Sequence, residues 1–459
     1  MKQSKNKLGS NFKKLIIANS INRFGDSVET LALTWLVYIV TNSAFWSAFY
    51  FMCNQLPSVL VQPFAGAIVE TLSKKKVMFV ADIVRGILVT TLIATYYFGV
   101  THPVQTIVFT LFISTIEAFR IPAGTSLVPM IVEKNDLDHA ISRNTSISKV
   151  SELAGLGVAG LITASFGVGV AMIIDMVTFF LSALLIFSIN VKEESKGNIP
   201  SLIHHTGRKK LKNYHTLFVE GLRYSIKMKS VSRLIIFVVI FNGLFAPINS
   251  LLVPLISGVL ELSSIVLSSF SILLSVGTIA GALLFPYLSK KSTSDGRIIG
   301  INGVSLGVMY VIMFILGTEF IHFSFVPYGL SAIGFLLGFN ITFISSRLTV
   351  SFMKQVDQNY LSRVGALYNA FASAAMPLAA GLISLISLRV SVPYIYLFFG
   401  LISIIVMSII LFANDRIARN AQSQANEEEQ LPACDLERHD DQLMKEQREV
   451  NEDDRLSVY

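Results

Sequence analysis

Twelve stretches of about 20 mostly apolar residues, set apart by short polar segments, limit what this chain can become more than any other feature. A helix needs that length to cross the hydrocarbon of a bilayer, where every backbone N–H and C=O must find its partner inside the segment. The stretches run 15–40, 45–69, 77–97, 104–131, 146–165, 168–190, 233–256, 264–288, 298–317, 323–349, 363–386 and 393–414. A very short Ser165-Phe-Gly-Val-Gly169 turn joins the fifth to the sixth. The longest interruption, 191–232, divides them six and six. The pattern predicts an all-α polytopic membrane protein of 12 transmembrane helices: a six-helix bundle over 15–190 and a second over 233–414. A short N-terminus (1–14), a central linker (191–232) and an acidic tail (415–459) lie outside the spans.

Composition agrees. Of 459 residues 53% are apolar and 15% charged, against about 25% charged in soluble domains. From Gln424 onward 12 acidic and 4 basic residues crowd into a tail with few core-forming side chains, for which disorder is expected after Ala421. The formal net charge of +7 does not predict a nucleic-acid partner, because position explains it. Of the 37 Lys and Arg residues, 33 fall in the N-terminus, the tail and alternate loops, on one side of the predicted membrane. Arg23, Arg85 and Arg120 lie within spans, leaving Arg389 alone in the opposite loops. Such an excess predicts a cytoplasmic membrane protein with both termini in the cytoplasm. Trp35, Tyr38, Trp46 and Tyr50 flank the first outer loop, where an interfacial aromatic belt is expected. In the linker, Leu217, Phe218, Leu222 and Ile226 stand at helical spacing among basic residues; an amphipathic surface helix and a solvated linker both fit. No cleavable signal peptide is read, and the first span is expected to double as the insertion signal. Cys53 lies in an apolar run and Cys434 in the tail, so no disulfide framework is expected.

Charges inside the spans carry the chemistry. Arg23, Asp26 and Glu29 on the first span would together cost roughly 7–10 kcal/mol facing lipid, so they turn inward. At 100° per residue, Asn19, Asn22, Arg23, Asp26 and Glu29 share a sector of about 120°. Glu117 sits near the midpoint of the fourth span with Arg120 three residues on, within side-chain reach. Two readings stand: ion pairs that lock helices together, or acids beside a cavity that titrate with transported protons, Asp26, Glu29 and Glu117 being the carriers and Arg23 and Arg120 their counter-charges. Asp175, nearer the outer end of its span, is expected to be structural. Asn22, Asn242, Asn249, Asn340 and Asn369 are candidates for the walls of a substrate cavity. Pro57, Pro63, Pro247, Pro254 and Pro377 mark bends. No Gly-x-x-x-x-Gly-Lys-Ser/Thr and no His-Glu-x-x-His occurs, and His204-His205 lacks a further spaced ligand, so no enzyme, cofactor or metal is predicted.

Between the second and third spans stands Gly66-Ala-Ile-Val-Glu70-Thr-Leu-Ser-Lys74-Lys75-Lys76, followed by Asp82 and Arg85. It resembles the loop signature of the major facilitator superfamily, and Gly281 through Lys290-Lys291 echoes it in the second half. Ala81-Asp82-Ile-Val-Arg85, Ile121-Pro122-Ala-Gly, Ile174-Asp175-Met-Val-Thr-Phe, Glu220-Gly-Leu-Arg-Tyr224 and Tyr360-Leu-Ser-Arg363-Val are similar to the macrolide-efflux and enterobactin-exporter branch. The resemblance implies two pseudo-symmetric bundles, a monomer, and alternating access to a central small-molecule site. It also implies a cytoplasmic latch built from Gly66, Glu70, Lys74, Lys75, Asp82 and Arg85, with Glu70 in place of the usual Asp. Ser151-Glu-Leu-Ala-Gly155-Leu-Gly157-Val-Ala-Gly160 is similar to the glycine-rich antiporter motif, with Leu156 where Pro is common; its small face also suits close helix packing. Together these readings point to a proton-coupled exporter of amphiphilic small molecules, with an importer or facilitator of the same fold, or a non-transporting sensor or immunity protein, as the alternatives. An inward proton would supply about 2.3 kcal/mol per 100 mV.

Overall fold

A computed structural model describes residues 9–133, 136–191, 223, 225–288, 295–318, 325–356 and 361–430. Among the described residues there is no strand. The helices are α1 (Ser10–Thr41), α2 (Ala44–Leu60), α3 (Gln62–Thr71), α4 (Lys74–Tyr97), α5 (Pro103–Ile131) and α6 (Leu137–Phe187). The second half holds α7 (Lys229–Val253) with a π-helical extension (Pro254–Val259), then α8 (Ser264–Leu288), α9 (Asp295–Leu316), α10 (Val326–Gln355), α11 (Leu361–Ile386) and α12 (Val392–Gln430).

Among the described residues, nine of these helices are long and apolar enough to cross a membrane by length and composition. The other predicted spans are accounted for by three local effects. The ionisable and amide side chains of α1 lower its mean hydropathy. The second span is split into α2 and α3 at Val61, with Pro63 opening α3, because proline has no N–H to continue the ladder. The fifth and sixth spans run together as α6, turned back at Gly167, whose φ of 80° and ψ of 168° only glycine adopts freely.

Helix pairing repeats between halves. In the first, α1 packs on α6, α2 and α3 on α5, and α4 on α6; in the second, α7 packs on α11, α8 on α10 and α9 on α12. Across the halves α6 meets α8 and α2 meets α11. The α8–α10 seam is very close: a Cβ at Gly281 or Gly334 would lie 2.9 Å from Phe339 O or 2.6 Å from Phe270 O. Large apolar side chains such as Phe112, Leu184, Leu283, Leu382 and Phe412 point outward, as lipid requires.

The halves touch at the end of the bundle where α1 finishes. There Tyr38 presses on Gly258, Ser268 on Gly160, and Met52 Sδ would stand 2.7 Å from a Cβ at Gly381. Toward the end where α1 begins, a cavity lines the first half instead.

Two expectations change. Trp35, Tyr38 and Tyr50 are buried in the core and Trp46 is half-buried against Phe45, so they do not form a lipid-facing belt; packing between helices has claimed them. The last helix continues past 414 to Gln430, through the stretch after Ala421 expected to be disordered. Its Ala, Gln and Glu content favours helix, and no Gly or Pro interrupts before Pro432. The linker segment with Leu217, Phe218 and Leu222, and the tail from 431, lie outside the described residues.

Candidate functional site

The polar stripe of α1 faces the interior of the first half, and α4, α5 and α6 bring charges to meet it. The Arg23 guanidinium donates to Glu117 Oε1 at 2.9 Å and stands 3.5 Å from Asp26 Oδ2. Arg85, wholly buried on α4, donates to Asp26 Oδ1 at 2.6 Å and lies 3.7 Å from Glu117 Oε2. Its guanidinium carbon sits over the Phe179 ring of α6, 4.2 Å from the centroid, which adds a cation–π contact. Two cations and two anions from three helices thus form one quartet. Ser27, Thr30 and Thr34 return their hydroxyls to carbonyls one turn back, whereas Asn22 Nδ2, Asp26 Oδ2 and Glu29 Oε1 on the same helix are buried without a hydrogen bond.

A second network lies nearer the start of α1. Arg120 pairs with Asp82, its Nη2 donates to Ser182 Oγ at 3.1 Å, and Ser182 donates to Asp82 Oδ2 at 2.7 Å. Asn19 accepts from Arg120 at 3.5 Å and donates to Asn144 Oδ1 at 3.0 Å. The predicted Glu117–Arg120 pairing is therefore replaced: the two residues share a helix but serve different networks, because α1 and α4 offer each a partner of opposite charge on its own side.

Beside the quartet, Asp26, Glu29 and Asp175 each offer a carboxylate oxygen, all within 4.8 Å of one another. Asp175 was not expected here; its helix packs against Gly25, where a Cβ would stand 2.7 Å from Asp175 Oδ1. The sequence signal was a bare carboxylate in an apolar span, with Ser182 seven residues on along the same face.

A cavity of about 340 Å³ opens onto this cluster. Arg23, Asp26, Glu29, Arg85 and Glu117 line one wall, Asn54 and Gln55 of α2 another, and Leu156, Asn249 and Met376 complete it from α6, α7 and α11. An apolar annex walled by Phe51, Ile248, Leu252 and Phe270 adjoins it, sharing Thr30, Leu156 and Asn249. A second cavity, of about 420 Å³, shares Arg23, Ile121 and Glu152 and leads past Asn144 and Ser148 toward the end where α1 begins. The tandem amides Asn54-Gln55 were overlooked in the sequence, though two amides in an apolar run were the clue.

Of the asparagines proposed for the cavity, Asn249 is in its wall. Asn22 is buried behind it with its amide nitrogen unpartnered. Asn242 donates to Val238 O at 2.8 Å, and Asn340 to Leu336 O at 2.8 Å and Ser305 Oγ at 3.3 Å, so intrahelical carbonyls and a neighbouring helix satisfy them away from the cavity. Asn369 is exposed and not part of this wall.

The latch residues also separate. Asp82 and Arg85 stand about 12 and 16 Å along α4 from its first residue, deep in the bundle rather than at its end. Lys75 lies over the Phe187 ring at 5.4 Å, within the same half. Lys74 opens α4, and a side chain at Gly66 would meet open space. The side chain of Glu70 lies outside the described residues.

Among the described residues, a helical bundle of two like halves around a polar central cavity has the architecture of a transporter of the major facilitator type, not of an enzyme. The chain belongs to the family described as transmembrane secretion effector, which matches residues 8–441. It is 26% identical over 406 residues to the uncharacterized MFS-type transporter YkuC of Bacillus subtilis, covering 88% of this chain and 91% of that one. It is 23% identical over 410 residues to macrolide efflux protein A of Streptococcus pyogenes, covering 88% and 96%. Among solved structures, a bacterial homologue of the iron transporter ferroportin in an inward-facing state superimposes with a TM-score of 0.66 at 15% identity, over 90% of this chain and 99% of that one. That likeness is one of fold.

Proposed function

We propose that the protein is a proton-coupled exporter of amphiphilic small molecules, of which macrolides are the first class to try, in the cytoplasmic membrane with both termini inside. One observation carries the reading: a cavity whose first-half wall bears ionisable, largely buried side chains, whose annex is apolar, and beside which a second cavity leads toward the end of the bundle bearing the loop lysines. An amphiphile entering from the cytoplasm or inner leaflet would place its apolar body on Phe51 and Phe270 and its polar groups toward Asp26, Glu29 and Glu117. Closure at the Tyr38–Gly258 end makes this the inward-facing form of an alternating-access cycle. Arg23 and Arg85 hold the acids in place, while the Asp82–Arg120 pair fastens the helices around them. The resemblance to macrolide efflux protein A supports the direction and the substrate class. Both the proton coupling and a monomeric working unit are part of the proposal.

The test is macrolide accumulation in energised cells and in proteoliposomes, with and without a protonophore. Export that collapses with protonophore supports the reading. Protonophore-insensitive flux, or net uptake, points instead to facilitation or import.

A further inference from the structure

The charge balance of the central cluster is uneven. Arg23 and Arg85 face Asp26 and Glu117, two cations for two anions, every residue within 4.0 Å of an opposite charge. Glu29 and Asp175 have no such cation among the described residues, yet they are 4% and 0% exposed. Glu29 Oε1 and both carboxylate oxygens of Asp175 are buried without a hydrogen-bond partner.

A third helix aims at the same spot. The Tyr50 hydroxyl of α2 is wholly buried, unpartnered, and within electrostatic reach of both acids. Gly25 makes the arrangement possible, since Asp175 Oδ1 and Thr178 occupy the space a side chain there would need. Gly25 and Glu29 are four residues apart, so they share one face of α1 and Asp175 is held against that face. The charged or titratable groups facing the pair are therefore Asp26 on α1, Tyr50 on α2, Arg85 on α4 and Glu117 on α5.

Two ionised carboxylates buried side by side, with no cation of their own, suffer both desolvation and mutual repulsion. A proton between them removes the repulsion and supplies the missing O–H···O bond. We infer that Glu29 and Asp175 together carry the transported proton, while Asp26 and Glu117 stay ionised against Arg23 and Arg85. The inference rests on the proton-coupled reading above and names its site. Glu29 is in the cavity wall and Asp175 stands behind it, so the proton leaves through Glu29 into the cytoplasmic cavity. Only an O–H bond is made and broken: one proton taken from outside is released inside, and the pair gains one negative charge as it goes.

Infrared difference spectra of the purified protein in lipid, taken across a pH titration, test this without knowledge of the substrate. A protonated-carboxyl band should appear in wild type and in Asp26→Asn, and be lost in Glu29→Gln and in Asp175→Asn. In proteoliposomes, with erythromycin as probe, Asp175→Asn should lower pH-gradient-driven transport about tenfold or more, a loss of roughly 1.4 kcal/mol of coupling. It should also flatten the pH dependence of erythromycin binding, whereas a purely structural role would weaken binding at every pH. Wild type coupled to protons but Asp175→Asn equally coupled overturns the inference and leaves the reading intact. Wild type indifferent to a proton gradient overturns both. A carboxyl signal that answers to sodium or a divalent ion instead of pH makes the three acids a cation site and overturns the inference. Should the variants not fold, a wild type with no titrating carboxyl band refutes it alone.

Discussion

The contact between Tyr38 and Gly258 offers the sharpest test of how the two halves move. The Tyr38 ring, at the far end of α1, lies against the π-helical extension of α7. A Cβ built on Gly258 would fall 2.5 Å from Tyr38 Cζ and 3.2 Å from Cε1, and closer still to the hydroxyl. Forcing a methyl into such a contact costs about 1–3 kcal/mol. That penalty falls on the form closed at this end, because the two elements part when it opens. The ratio of open to closed forms should then rise by about 5- to 150-fold in Gly258→Ala. Spin labels at Val40→Cys and Ser263→Cys, both at exposed positions, would report the separation by pulsed dipolar spectroscopy in a background without Cys53 and Cys434. Gly258→Ala should add a longer-distance population, and Tyr38→Ala in the same chain should abolish it. Tyr38→Phe should not, since Cζ remains in the way. An unchanged distribution in Gly258→Ala, or no recovery with Tyr38→Ala, would refute the reasoning.

Two further outcomes concern stability. Asp82→Asn or Arg120→Gln alone should cost about 3–5 kcal/mol by stranding a buried charge, and the double variant should recover most of it; thermal unfolding in detergent reads both. Gly167→Ala should lower the same melting temperature, by the equivalent of about 1–3 kcal/mol, because φ 80°, ψ 168° is closed to a side chain.

The sequence carried the spans and the inward face of α1, because both rest on periodicity and on the cost of charge in lipid. The turn at Gly167 was equally legible, from Ser165, Gly167 and Gly169 close together between two apolar runs. Partner choice was not. Glu117 has Arg120 at i+3 on its own helix, yet it pairs with Arg23 and Arg85, since rotation and depth of neighbouring helices decide which groups meet. Asp82 and Arg85 follow a loop signature in sequence, and that proximity drew them into a latch; counting residues into α4 would have put them in the bundle interior. The asparagines misled for a related reason. An Asn in a helix can donate to a carbonyl four residues back, as Asn242 and Asn340 do, so its presence in a span does not require a cavity.

The position of the charges also says how motion and chemistry can be linked. The two ionic networks join α1, α4, α5 and α6 at two levels about 10 Å apart, Asn19 to Asp26, and so make the first half resist internal rearrangement. The second half has no acidic residue inside its predicted spans and is held instead by glycine-lined seams such as α8–α10. Between the halves, the contacts named at the closed end are small residues against apolar or hydroxyl groups, which separate at little electrostatic cost. Helix α1 alone carries a member of the carboxyl pair, Glu29, two members of the quartet, Arg23 and Asp26, and the closing contact, Tyr38. Under the proposed proton coupling, any tilt that follows loss of a proton from Glu29 must therefore move Tyr38 against Gly258, nine residues and about 13 Å further along the same rigid rod. Coupling needs no relay of side chains across the interface when one helix is both the seat of the charge and the edge of the gate.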